Sequence, residues 1–327
     1  MKRKIVQGRI LFLIFLCGFF LFYSCASRAV KAEEYFSLGM AYFELGQNNA
    51  ANRDRYFQEA EKWLNRARST DKTMTASDYN LGRLAFEAGR YEEAAKHFEN
   101  VLVRDPENVM AIKSAAYSRI KNGDLYKAET LYDRVITLIP ESADDGYNYA
   151  LVLYSIKKYE RCEDLLGKFP YSLEENQASM LLYARAQRAQ GKVEAVDSYA
   201  KWAMAAKPVN PQGLYEYAKV LEDAGFYAKA LEQYPAAIDA VTKDTETPKK
   251  SLLMFEEARL ILVADPENEE GPKKLEAAVK EGFSDAASVK ELLGDERIKS
   301  ENKEKVEAIY LDMINENKEP PEDDPKT

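Results

Sequence analysis

The sequence predicts an all-α fold laid out as a solenoid of helix-turn-helix hairpins, and three observations predict it. The first is an internal repeat: Leu81-Gly82 falls on Ala115-Ala116, Gly89 on Gly123, Tyr91 on Leu125, Ala94 on Ala128, Phe98 on Tyr132, Val101 on Val135 and Pro106 on Pro140. The offset is 34 residues at every pair, a period that signals one supersecondary unit stacked on its neighbours. The second is composition: 12 Pro and 15 Gly in a chain that is 31% charged and 46% hydrophobic favour helices over sheets. The third is that the same small and large residues return in register on both sides of this segment. A chain of 327 residues is then one elongated array, since each unit packs only on the next.

The units follow in order. In the first, residues 32–74, Tyr35, Leu38-Gly39 and Tyr42 mark one helix and Ala60, Leu64 and Ala67 the second. The polar stretch Gln47–Arg55 between them reads as an insertion, either a longer hairpin or a contact loop. Residues 75–108 and 109–142 are the template pair. Small residues at Gly82 and Ala94, or Ala116 and Ala128, let two helices approach, while Tyr91 and Phe98 and their equivalents fill the space around them. Pro106 and Pro140 stop the second helix. Unit four, 143–176, carries Tyr149-Ala150, Leu153, Tyr159, Cys162, Leu166 and Phe169. Unit five, 177–210, keeps Tyr183-Ala184, Gly191 and Pro208 but has Ala195 and Tyr199 one place early, a degenerate second helix. Unit six, 211–247, is regular again with Tyr217-Ala218, Leu221, Gly225, Tyr227, Ala230 and Tyr234. Residues 248–314 hold a degenerate seventh unit, Ser251–Ala264 with Pro272–Lys280, followed by helices that cover the last apolar face. The tail 315–327, NENKEPPEDDPKT, is acidic and proline-bearing and reads as disordered.

The period and the residue types together resemble the tetratricopeptide repeat family. The resemblance implies a right-handed superhelical array whose first helices line a concave groove, and a role in holding extended or helical segments of partner proteins. In this register the groove is lined by Tyr79, Asn80, Arg83 and Phe86; then by Lys113, Tyr117 and Lys121; then by Tyr147, Asn148, Leu151 and Tyr154. Arg185, Arg188, Tyr215 and Lys219 follow from units five and six. Asn80 and Asn148 stand where family members grip a ligand backbone with a side-chain amide. Arg83, Lys113, Arg185 and Arg188 suit carboxylates, and the tyrosines suit apolar groups. The family's chaperone-binding carboxylate clamp is not reproduced, because Met40 and Met110 occupy two of its places. The expectation is a basic, tyrosine-rich groove that takes an acidic or extended protein segment. The other reading of the groove residues is packing between repeats.

The N-terminus carries a second resemblance. Lys2, Arg3, Lys4 and Arg9 precede the apolar run Ile10–Tyr23, which is short for a bilayer span and suits a signal peptide. It ends in Leu21-Phe22-Tyr23-Ser24-Cys25, similar to a relaxed bacterial lipobox of spirochaete type. That implies removal of residues 1–24, lipidation of Cys25, a tether over 25–31 and a protein held at a membrane of the cell envelope by acyl chains. An uncleaved anchor and ordinary secretion are the alternatives. A lipoprotein of this kind is also similar to those that accompany TRAP-type uptake systems, which implies a small ligand or a solute-binding protein as partner.

Charge and motifs narrow the function. The net charge is −9, and with the four basic residues at the start set aside 42 basic side chains face 55 acidic ones, which argues against nucleic acid. No Cys or His cluster has metal spacing, and no phosphate-binding glycine loop or Gly-x-Ser-x-Gly elbow occurs. The chain therefore reads as a non-enzyme without a cofactor or metal. His97, the single histidine, reads as a surface or partly covered side chain. Cys162 stands where other units have Ala94, Ala128 and Ala230, and so reads as a small buried hydrophobe.

Overall fold

The computed structural model describes residues 27–205 and 209–316. Helices and the turns that join them make up its described residues, with no strand among them. The signal segment, Cys25, Pro208 and most of the acidic tail lie outside the described residues.

Among the described residues the helices follow one another in pairs joined by turns. They are α1 (27–48) with α2 (Arg53–Thr70), α3 (Thr75–Glu87) with α4 (Tyr91–Leu102), and α5 (Val109–Lys121) with α6 (Leu125–Leu138). Next come α7 (Ala143–Ser155) with α8 (Tyr159–Gly167) and the short α9 (Pro170–Glu175), then α10 (Gln177–Ala189) with α11 (Ala195–Ala205). The series ends with α12 (Pro211–Asp223) and α13 (Tyr227–Asp239), α14 (Lys250–Ala264) and α15 (Glu270–Lys280), and the cap α16 (Ala286–Leu293) and α17 (Ser300–Glu316). The chain divides into two compact units, Met1–Lys158 and Tyr159–Thr327.

Within a hairpin the small residues do what the repeat demands. Ala94, Ala128 and Ala230 have no exposed surface. A Cβ placed on Gly82 would come within 2.8 Å of the Phe98 ring, so α3 and α4 are already at closest approach. Burying a ring such as Phe98, 2% exposed, stabilises the pair by about 2–3 kcal/mol. Cys162 is fully buried in the same role, and burial pushes its thiol up to about 12.

Two further features recur every 34 residues. Asn108, Ser142, Asn176 and Asn210 each precede the first helix of a repeat, and each accepts a hydrogen bond from a backbone N–H of its first turn. The turn between the two helices of a repeat places Gly89, Gly123, Gly191 and Gly225 at φ of 74°, 83°, 70° and 78°. At each, backbone bonds close the helix end, as from Gly123 N to Ile120 O and from Asp124 N to Arg119 O. Position 157, at the end of α7, has a lysine at φ 62° doing the same.

Of the two readings of Gln47–Arg55 the structure takes the longer hairpin: α1 runs through residue 48, a 3₁₀ turn occupies Ala50–Asn52, and α2 starts at Arg53. The extra residues lengthen the hairpin because nothing in them breaks a helix. Residues 27–31 of the expected tether are already helical. In the fifth repeat, α11 begins at Ala195, and Ala195 and Tyr199 are 2% and 1% exposed. The early placement seen in the sequence is a genuine shift that keeps the core filled. At the C-terminal end, Phe283 stacks on Phe255 at 4.1 Å, and Val289, Leu292, Ile298, Val306 and Met313 close over α14 and α15. Asn302 donates to the Pro266 carbonyl at 2.9 Å, tying α17 to the loop between them.

Candidate functional site

In the first unit the expected groove residues fall in rows set by the 34-residue offset on α3, α5 and α7. Tyr79, Lys113 and Tyr147 make one row, Arg83, Tyr117 and Leu151 the next, and Asn80, Ser114 and Asn148 a third. Tyr79, Arg83 and Tyr117 come together at an open cavity of about 230 Å³, completed by Phe86, Glu87, Phe98 and Ser114. Phe98 stands edge-on to Tyr79 at 5.3 Å, and Phe86 stacks on Tyr117 at 5.3 Å and 29°. The Tyr79 hydroxyl lies 3.3 Å from Ser114 Oγ. Tyr117 keeps 46% of its surface exposed and Leu151 39%, so this row offers apolar surface to solvent that no repeat contact uses.

The polar groups of the same rows are committed to different degrees. Asn80 is buried; its Nδ2 donates to the Ala76 carbonyl at 2.9 Å and its Oδ1 accepts from Arg83 Nη1 at 3.0 Å. The amide expected to grip a ligand is thus spent on its own helix and on Arg83. Asn148 is exposed and has no hydrogen-bond partner among the described residues. Lys113 Nζ lies 2.6 Å from Oδ1 of the buried Asp145, at an angle outside hydrogen-bond geometry, so the contact is an ion pair. Ser142 Oγ donates to the other oxygen of Asp145 at 2.6 Å. Arg83 pairs with no carboxylate among the described residues, and its guanidinium lies 4.9 Å from the Phe43 ring centroid. Lys121 Nζ stands 5.4 Å over Tyr117. Tyr147 and Tyr154 are half-buried.

In the second unit the expected free positive charge is absent. Arg185 Nη2 donates to Glu216 at 2.6 Å, and Arg188 Nε to Asp223 at 3.0 Å. Lys219 Nζ lies 3.4 Å from Glu222 and 3.5 Å from Glu256. Arg259, which sequence reasoning passed over, binds Glu222 at 2.6 Å through Nη2 and Glu256 at 2.7 Å through Nε. Tyr215 donates to Glu256 at 3.3 Å, and burial together with that carboxylate pushes its hydroxyl up to about 12. Arg185, Arg188 and Lys219 were legible as basic residues, but each has a partner 31 to 37 residues later, on the next first helix. Glu216 and Asp223 lie 31 and 35 residues after Arg185 and Arg188, so the 34-residue offset alone does not find them.

The other singled-out groups are structural. His97, 12% exposed, places Nδ1 at 3.2 Å from Asp78 Oδ1. Asp78 also takes Arg68 at 3.2 Å; burial opposes its charge, but these two partners hold its carboxyl below the usual range. Among the described residues no group of three or more His, Cys, Asp or Glu side chains is placed to hold a metal ion. No helix among them is long and apolar enough to cross a membrane.

Residues 79–145 match the family described as Tetratricopeptide repeat, and residues 121–202 match that described as Anaphase-promoting complex, cyclosome, subunit 3. A curated relative, Uncharacterized protein ycf37 of Pyropia yezoensis, is 44% identical over 68 residues, 20% of this chain. The match spans 37% of that relative's length. A tetratricopeptide repeat protein from Parabacteroides merdae superposes with a TM-score of 0.50 over 79% of this chain and 98% of its own, at 18% identity, which establishes the fold. MamA from Desulfovibrio magneticus RS-1 gives 0.46 over 50% and 93% of the two chains, at 16% identity. Residues 79–145 are therefore similar in sequence to tetratricopeptide repeats, and the described residues share the fold of a solved tetratricopeptide repeat protein.

Proposed function

We propose that this array of tetratricopeptide repeats is an interaction scaffold of a bacterial cell envelope, held at a membrane through a lipid on Cys25. The face of α3, α5 and α7 receives an extended segment of a partner protein. The observation that carries the reading is the exposed row around Tyr117, a ring 46% exposed beside an open aromatic cavity, with an exposed Asn148 amide on α7. Concave faces of this kind are the usual working surface of repeat proteins. The second unit's first helices support a different role, because their charges are already paired.

A photocrosslinking residue introduced at Tyr117 in cells tests the groove, with one at Val103, 81% exposed on a helix end, as the control. A discrete adduct at 117 that is missing at 103 is the expected result; none at 117 removes the reading. Anchoring is read separately. Cys25→Ala should move the chain from the membrane fraction and abolish incorporation of labelled palmitate, and unchanged fractionation with no label in the parent chain would refute it.

A further inference from the structure

We infer that the cavity between α3 and α5 selects a peptide in which an aromatic side chain is followed or preceded by a carboxylate. The ring enters between Phe86, Tyr117 and Tyr79, and the carboxylate pairs with Arg83. The inference rests on the groove reading above and names the ligand chemistry of that groove.

Three observations meet here. The cavity holds about 230 Å³, less than the roughly 300–1,000 Å³ of small-molecule sites, so it fits one inserted side chain rather than a whole cofactor-sized ligand. Its walls are ring faces and edges: Tyr79, Phe86, Phe98 and Tyr117, whose contacts are edge-on and stacked. A fifth ring extends that arrangement, since aromatic pairs prefer these geometries and add about 0.5–1.5 kcal/mol beyond burial. The third is charge. Arg83 lines the cavity and, unlike Lys113, Arg185, Arg188 and Lys219, has no carboxylate partner among the described residues.

Arg83 is also pre-positioned. Asn80 Oδ1 accepts from one of its nitrogens, and the ring of Phe43 lies under the guanidinium. Part of the fork remains for a carboxylate, and its rotamer is fixed before the ligand arrives. The one acid on the cavity wall, Glu87, is already held by Arg53 at 2.7 Å, and Lys121 adds a cation over Tyr117. The field at the mouth therefore favours an anion although the chain as a whole is acidic.

The test is selection of phage-displayed random dodecapeptides on the full-length chain in lipid nanodiscs, followed by titration of the synthesised winners. Peptides pairing Phe, Tyr or Trp with an adjacent Asp or Glu should be enriched. Arg83→Ala should weaken them roughly tenfold or more, as expected for losing a hydrogen bond to a charged group, and should not weaken the Asp→Asn or Glu→Gln peptides. Arg83→Lys should recover part of the loss, and thermal melts should show both variants folded. Winners that lose binding on Tyr117→Ala but lack the acidic–aromatic pair would overturn this ligand chemistry and leave the groove standing. Winners indifferent to Tyr117→Ala, or no enrichment at all, would overturn both.

Discussion

Lys157 carries a stability effect that its side chain does not explain. It takes the left-handed turn conformation, φ 62°, that Gly89, Gly123, Gly191 and Gly225 take in the other repeats. Its side chain is exposed and makes no ion pair among the described residues. Substituting Lys157→Gly therefore relieves backbone strain of about 1–2 kcal/mol, and the greater freedom of glycine in the unfolded chain takes back about 0.5–1 kcal/mol. The net is a stabilisation of about 0.5–1 kcal/mol, with both turn bonds, from Lys157 N to Tyr154 O and from Lys158 N to Leu153 O, retained. The reciprocal change, Gly123→Lys, should cost a similar amount; an added Cβ there meets nothing within 4 Å, so the cost is conformational rather than steric. Urea titrations of both variants should shift the midpoint in opposite directions at unchanged slope. A Lys157→Gly midpoint at or below that of the parent would refute the reasoning, because some contact of the lysine would then outweigh the strain.

Gly82→Ala should destabilise the chain by about 1–3 kcal/mol through overpacking, since the new methyl would sit 2.8 Å from Phe98; a urea midpoint equal to the parent's would show that α3 and α4 can separate without cost. Cys162 has no exposed surface and a thiol raised to about 12, so a thiol reagent at pH 8 should label it only in denaturant, and rapid labelling of the native chain would disprove its burial. Asp78 has a lowered folded-state pKa from His97 and Arg68. Its contribution is therefore present above the unfolded value of about 3.9 and is lost as pH falls through the folded one. The stability gap between the parent and Asp78→Asn should be widest near neutral pH and close in acid, and a gap independent of pH would contradict the assignment.

The hairpins were legible because packing imposes period and residue size together. Gly82, Ala94 and Phe98 cannot be exchanged for larger or smaller neighbours without opening a void or a clash, so the pattern survives in the sequence. The helix caps were legible in principle, as Asn108, Ser142, Asn176 and Asn210 share the period, but a cap is one residue with several acceptable identities and leaves a faint trace. The stretch Gln47–Arg55 left a longer hairpin and a contact loop open for the opposite reason: a polar helix face turned to solvent has the same composition as a loop. Side-chain partnership was the least legible feature. Whether Asn80 faces a ligand or its own helix depends on a rotamer and on Arg83, neither of which spacing encodes.

The paired charges of the second unit give that last point its functional weight. A basic residue on one first helix and an acid 31 to 37 residues later lie on neighbouring repeats, so a stripe that looks positive in isolation becomes a neutral ladder once the next repeat is laid beside it. An exposed pair such as Arg188–Asp223 contributes little stability, about 0–1 kcal/mol, yet every such pair removes its cation from recognition, because a ligand carboxylate would have to displace one already in place. Arg185→Glu with Arg188→Glu would therefore set like charges against Glu216 and Asp223 and disturb the stacking of repeats five and six. Loss of a partner in that variant would report on folding as much as on contact. Arg83→Ala breaks no ion pair among the described residues and loses only its bond to Asn80 on α3 and its contact with Phe43 on α1, so with folding checked it separates recognition from architecture better than the second unit's arginines do.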